Sequence, residues 1–191
     1  MRLTPFSFTV LVLVGRGGAG PHDLRRMAEA GRVYWDAAPS QWYAEPKRLA
    51  EQGYLAARKT PGRTRERTHY ELTEKGREAL AEWVRTPATM PRTQNEPVVR
   101  LLAADLVDPA AVLEGLEAMR PDLDAALASV EHAQERTADL THRAHLLEVN
   151  HRYAERMLAL QEEWLAEARA VLLAAAAPRA LTPPVSDGSS R

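Results

Sequence analysis

The sequence contains no cysteine. That excludes disulfides and thiolate-bound metal, and it fits a reducing compartment, so a cytoplasmic protein is expected. No apolar run approaches the roughly 20 residues that a membrane helix needs. The segment Phe6–Val14 has no basic leader beyond Arg2 and no convincing cleavage pattern, so it reads as a core helix rather than a signal peptide. Signatures of catalysis are missing as well. The glycines of Gly15–Gly20 are not followed by Lys-Ser/Thr, as a phosphate loop requires, and there is no serine elbow or cysteine nucleophile. His142 and His145 have no carboxylate at ligand spacing, and His145 with Glu148 has the spacing of an ordinary helix-surface pair. The chain is therefore not read as an enzyme, with no catalytic residue, metal or cofactor expected and no membrane partner.

What is present is a chain of 191 residues, 45% hydrophobic and 27% charged, the composition of a soluble globular protein of one or two domains. The net charge of −1 hides an asymmetry: residues 1–90 carry 15 Lys+Arg against 10 Asp+Glu (+5), and residues 91–191 carry 10 against 16 (−6). A basic half beside an acidic half suggests that the first half meets a polyanion.

The stretch Pro39–Thr73 is the most informative. With Leu49 as the inward direction and about 100° per residue, Trp42 and Pro46 share its buried side. Ser40, Ala44, Lys47 and Glu51 face outward, Tyr43 and Arg48 lie on the flanks, and Gln41 is nearer the core. Pro39 suits the first helical position and Gly53 a left-handed C-terminal stop. Small Ala44 with hydroxyl, amide and cationic neighbours is a face that can enter a major groove. An ordinary surface helix has a similar face, so the helix alone does not decide. The residues after Gly53 add weight: a strand pattern from Tyr54 to Thr60, a Pro61-Gly62 turn, and a second strand ending at Leu72. Arg63, Arg65 and Arg67 recur every second residue and share one face of an extended chain, with Arg58 and Lys59 at the base. Such a tip self-repels and suits a phosphate backbone or minor groove, although a solvated charge run is the duller alternative.

Around this stretch, Thr4-Pro5 caps a first helix and Pro21 starts a second with Leu24, Met27 and Ala28 inward. Val33-Tyr34-Trp35 reads as a small third strand. Thr73 caps a helix over Glu74–Arg85. Three prolines between residues 86 and 97 suggest a boundary. Val112, Leu116, Met119, Leu123, Leu127 and Val130 recur by three and four, with a kink or break expected at Pro121. A long helix over about Ala144–Ala176 carries Tyr153, Met157, Leu160, Trp164, Ala168 and Val171 on one stripe, with Leu158, Leu165 and Leu172 close beside it. These stripes exceed what two helices can bury against each other, so a second copy of the chain is the expected cover, the duller alternative being that both stripes pack on the N-terminal domain. The fold class read from these patterns is mainly α with a small β-hairpin. A winged helix-turn-helix domain (1–86) is followed by a linker (87–97), a helical, coiled-coil-like dimerisation domain (98–177) and a tail (178–191) expected to be disordered.

LTPFSFTVLVLV, PSQWYAEPKRLAEQGYL and THYELTEKGREALAEWV together resemble the PadR family of transcriptional regulators over residues 3–86. The C-terminal helices are similar to the virulence-activator-type dimerisation region of that family. The resemblance implies a winged-helix homodimer that binds double-stranded DNA at a palindromic operator, usually as a repressor. Recognition positions fall on Ser40, Gln41, Tyr43, Lys47 and Arg48, and wing positions on Arg63, Arg65 and Arg67. Pro46 departs from the leucine of many members and removes a helical hydrogen bond, at a cost of about 3 kcal/mol unless compensated. Trp35, Trp83 and Trp164, with Trp42, can line a cavity for a small apolar or aromatic effector, or simply serve the core. The alternative of another class is a winged helix that binds protein, which salt dependence would separate from DNA binding.

Overall fold

The computed structural model describes residues 2–29, 35, 37–61, 66–137 and 140–177. In order, these form α1 (Pro5–Val14), α2 (Pro21–Glu29), α3 (Gln41–Glu51), β1 (Leu55–Thr60), β2 (Arg67–Leu72), α4 (Glu74–Trp83), α5 (Glu96–Leu101), a 3-10 turn (Leu102–Asp105), α6 (Pro109–Glu117), α7 (Arg120–Glu135) and α8 (Ala144–Ala176). They group into two compact units that are not successive stretches of chain: Met1–Arg92 with Asp124–Leu158, and Thr93–Leu123 with Ala159–Arg191.

In the first unit, local signals set the helix ends. Thr4 Oγ1 accepts from the Ser7 amide (3.2 Å) and Ser7 Oγ accepts from the Thr4 amide (2.9 Å), a reciprocal cap that starts α1 at Pro5. α3 starts two residues later than the sequence suggests. Pro39 and Ser40 form a turn, and the Ser40 carbonyl accepts from the Ala44 amide at 3.0 Å, so Pro39 lies outside the helix. At the other end Gly53 has φ +77°, and the Tyr54 and Gly53 amides donate to Leu49 and Ala50 carbonyls (2.9 and 3.0 Å). That double bond pattern satisfies the orphan carbonyls and turns the chain into β1. Thr73 caps α4 through the Gly76 amide (3.1 Å), and α4 ends at Trp83 rather than Arg85.

β1 and β2 pair antiparallel from Leu55↔Leu72 to Thr60↔Arg67. Alternation puts Leu55, Tyr70 and Leu72 on the core side and Arg58, Arg67 and His69 on the other. A small third strand was expected at Val33-Tyr34-Trp35. Val33 and Tyr34 lie outside the described residues, and Trp35 is in no strand. Ala19 bridges Tyr70, with both backbone bonds at 3.0 Å. The loop can lie this close to β2 because Gly18 has φ +71°, and a Cβ there would meet the Tyr70 carbonyl at 2.6 Å.

The core joins Val10, Leu11 and Val14 of α1, Leu24 of α2, Trp42 and Leu49 of α3, and Leu55 and Tyr70 of the hairpin. Met27, expected inside, is exposed. From the C-terminal part of the chain, Val130, Ala133, Thr137, His151, Ala154 and Leu158 of this unit are also buried. In the second unit, Val112 and Leu116 of α6 pack with Leu165, Ala168 and Leu172 of α8, and Arg169 bridges Glu117 at 3.0 Å. The break before Pro121 falls at residues 118–119, where α6 gives way to α7. No described helix is long and apolar enough to cross a membrane.

Candidate nucleic-acid interface

Helix α3 packs on α2 and α1 and presents Ser40, Gln41, Tyr43, Ala44 and Lys47 as exposed positions. Gln41 folds back at the helix start, its Oε1 accepting from the Ala38 amide (3.1 Å). The Ser40 hydroxyl makes no capping bond. Tyr43 is 48% exposed. Lys47 reaches toward Glu51 at 3.9 Å, an open surface pair that a phosphate can displace at little cost. Small Ala44 between these side chains lets the helix axis come close to a groove floor.

Arg48 behaves otherwise. Its guanidinium turns inward, where Nε donates to Glu45 Oε2 (2.8 Å) and Nη2 to Ser7 Oγ (3.0 Å). The hydrogen bond from Arg48 holds the Glu45 carboxyl below the usual carboxylate range, against the opposing effect of burial. The same bond raises the Arg48 guanidinium above its ordinary value. Arg48, expected in the groove-facing set, is thus committed to the chain's own interior.

The hairpin offers a second charged surface. Arg58 and Arg67 lie on its outer face; Arg58 Nη2 is 3.0 Å from Glu71 Oε2, and Arg67 is exposed. Arg63 and Arg65 lie outside the described residues. His69 Nε2 is 3.2 Å from the Gly17 carbonyl, which ties the outer face to the glycine loop. Two cations not singled out in the sequence brace the base. Lys75 Nζ donates to the Gln52 carbonyl (2.7 Å) and sits 4.4 Å above the Tyr54 ring, and Arg77 donates to the Leu72 carbonyl (3.0 Å). Arg25 of α2 was also missed: it shares a cleft with Ala38 and Pro39 at the start of α3. Nothing in its spacing marks it, because the proximity comes from helix packing.

That cleft, about 340 Å³, is lined by Trp35 and Trp42 among others. Phe6 stands edge-on to Trp42 at 4.8 Å and stacks at 6.4 Å with Trp35, whose indole N–H is buried without a hydrogen-bond partner among the described residues. Trp83, proposed for the same cavity, instead stacks on Phe8 at 4.8 Å, and Trp164 packs against the second unit's core. A separate cavity of about 450 Å³ opens beside Gln134, Thr137, Glu148, His151 and Arg152. There His151 Nδ1 lies 3.4 Å from Thr137 Oγ1, and burial pushes its imidazole below the ordinary histidine value.

The residues expected to form a dimer contact divide in two. Val112, Leu116 and Leu123 are buried within the chain, Val112 and Leu116 against α8, and Met119 packs on the same cluster; Leu127 and Met157 are half-buried. A partner cannot use Val112, Leu116 and Leu123 as they stand. Tyr153, Leu160 and Val171 are 49%, 61% and 63% exposed. On α8 the buried set His151, Ala154, Leu158, Leu165, Ala168 and Leu172 follows three-four spacing, and Leu160 lies about 140° around the helix from Leu165. Among the described residues no group of three or more His, Asp or Glu could hold a metal ion.

Residues 21–82 match the model of the transcriptional regulator PadR-like family. Over 89 residues the chain is 30% identical to the negative transcriptional regulator PadR of Bacillus subtilis (strain 168), a match covering 45% of this chain and 48% of that protein, so it spans about half the length of this curated relative. The fold is similar to that of Bacillus subtilis PadR in complex with operator DNA (TM-score 0.66, 19% identity, 90% of this chain and 99% of that one). It is also similar to the same protein in complex with p-coumaric acid (TM-score 0.59, 18% identity, 89% and 98%). The Vibrio cholerae virulence activator AphA is a further structural relative (TM-score 0.59, 22% identity, 88% and 96%). At these identities the structural likeness establishes the fold.

Proposed function

We propose, from the premise that this chain carries a PadR-family winged-helix domain, that it is a sequence-specific DNA-binding regulator of transcription acting as a homodimer. The observation that carries the reading is α3: an exposed, small-centred, polar and cationic face directly followed by a basic hairpin. Two such helices in a dimer would enter successive major grooves about 34 Å apart, with the hairpins on the flanking phosphates or minor groove. The exposed apolar side chains Leu160 and Val171, which share one side of α8, support self-association, because the chain's own core does not use them. Repression is the proposed sign, in keeping with the negative regulator it resembles.

The wing supplies the first test. Replacing Arg63 and Arg65 with alanine is expected to weaken operator and non-specific DNA alike and to lower the slope of log K against log salt by up to about 2. Gel shifts at about 50 and 200 mM salt read this directly; an unchanged slope would remove the wing from the interface.

A small aromatic effector is the proposed release signal, with the Trp35–Trp42 cleft as its seat. The cleft borders the start of α3, so a ligand there would bias the recognition helix itself. A relative was solved with p-coumaric acid, which makes phenolic acids the first probes. Saturable quenching of tryptophan fluorescence, lost in Trp35→Phe, is the expected result; no response would leave the tryptophans as core residues.

A further inference from the structure

The Glu45–Arg48 pair is the most buried ion pair among the described residues, with side chains 14% and 22% exposed, whereas Lys47–Glu51 on the same helix is 75% and 64% exposed. Arg48 spans two helices. Beyond Glu45 it donates to Ser7 Oγ of α1, a residue 0% exposed. Ser7 Oγ is itself part of the α1 cap, 2.9 Å from both the Thr4 amide and Thr4 Oγ1. One connected set of hydrogen bonds therefore runs from the start of α1 into the middle of α3.

Its place in α3 gives it a task. Pro46 lies between Glu45 and Arg48 and is buried. Lacking an N–H, it cannot bond the Trp42 carbonyl, so α3 loses a rung of its ladder midway along the helix, on the buried side behind the candidate recognition face. The helix can bend there, and the direction in which Gln41, Tyr43, Ala44 and Lys47 point then depends on what holds its second half. For Arg48 to leave for a phosphate, Glu45 would remain largely buried without its partner, a strongly unfavourable exchange.

We propose that Glu45, Arg48 and Ser7 form a clamp that sets the angle of α3 against α1, and that Arg48 is a positioning residue for operator recognition, not a phosphate contact. The inference rests on the DNA-binding reading proposed for α3. It separates specific from non-specific binding: base readout needs the helix angle, whereas charge attraction to any duplex does not.

The test compares Arg48→Ala, Arg48→Lys and Ser7→Ala with the wild type on operator and on random-sequence duplex, at two salt concentrations and well below the unfolding temperature. Arg48→Ala is expected to lower operator affinity about tenfold or more, with random-duplex affinity within about twofold of wild type and the salt slope unchanged. Ser7→Ala should move the operator-to-random ratio in the same direction by less. Arg48→Lys, which keeps the charge opposite Glu45 but not the two-pronged geometry, should restore part of that ratio. Should Arg48→Ala fail to fold, Ser7→Ala and Glu45→Gln carry the same comparison. Parallel loss on both duplexes with a slope lowered by about 1 would overturn the clamp in favour of a phosphate contact. An unchanged operator-to-random ratio would overturn it as well. Wild-type protein that binds no duplex would contradict the DNA-binding reading itself, a different failure.

Discussion

Replacing Leu160 and Val171 together with aspartate is expected to yield a monomer and to weaken operator binding by about a hundredfold or more. Both side chains are more than half exposed in the isolated chain, so a polar substitute costs the fold little, within about 0.5 kcal/mol each. In a dimer they would lie in an apolar contact between helices, and four carboxylates brought together there would be desolvated and mutually repelled. Losing the second subunit removes the gain from binding two half-sites at once, which is worth about 10²–10⁴ in affinity. Sedimentation or light scattering reads the mass and a gel shift reads the affinity. A double variant that stays dimeric, or a wild type that is already a monomer, would place the contact elsewhere or remove it.

Leu49→Ala is expected to act on the fold instead. Leu49 is 0% exposed and joins α3 to α1 and β1 in the first unit's core. Removing its isobutyl group loses transfer free energy and leaves a cavity among neighbours fixed by helix ends and hairpin register, for about 2–5 kcal/mol in all. In a chain of this size that lowers the thermal midpoint by about 5–15 °C. Calorimetry or thermal circular dichroism measures it. Because the effect is on stability, DNA binding well below the new midpoint should stay within a few-fold of wild type. A midpoint shifted by less than about 2 °C would mean the site collapses around alanine and Leu49 does not hold the helix in place.

How much of this was legible in the sequence depends on how local each cause is. The Thr4 and Thr73 caps, the Gly53 stop, the hairpin and the long α8 were readable because each is set by neighbours within a turn or two. The bridge from Ala19 to Tyr70 was not: a glycine run reads as a break, and only the tertiary approach of β2 turns it into a short strand partner. Arg48 shows a second limit. A helical wheel puts it on a flank beside Glu45 at i−3, but the wheel is silent about a serine 41 residues away. On α8 the sequence displayed two apolar stripes without saying which one the chain would use for itself. The structure gives Leu158, Leu165 and Leu172 to the interior, together with Ala168 of the other stripe, and leaves Leu160 and Val171 outside. Val112 and Leu116, expected at a partner contact, went to an intramolecular one because α6 packs on α8.

In the proposed complex a pair of α3 helices reads DNA. A hydroxyl-radical footprint of the purified protein on the DNA immediately upstream of its own gene, with competitor duplex at about 200 mM salt, addresses it most directly. Two protected patches are expected, about one helical turn apart and related by approximate two-fold symmetry in sequence. A single patch would contradict the paired arrangement. Uniform protection that disappears with competitor would contradict sequence-specific recognition altogether.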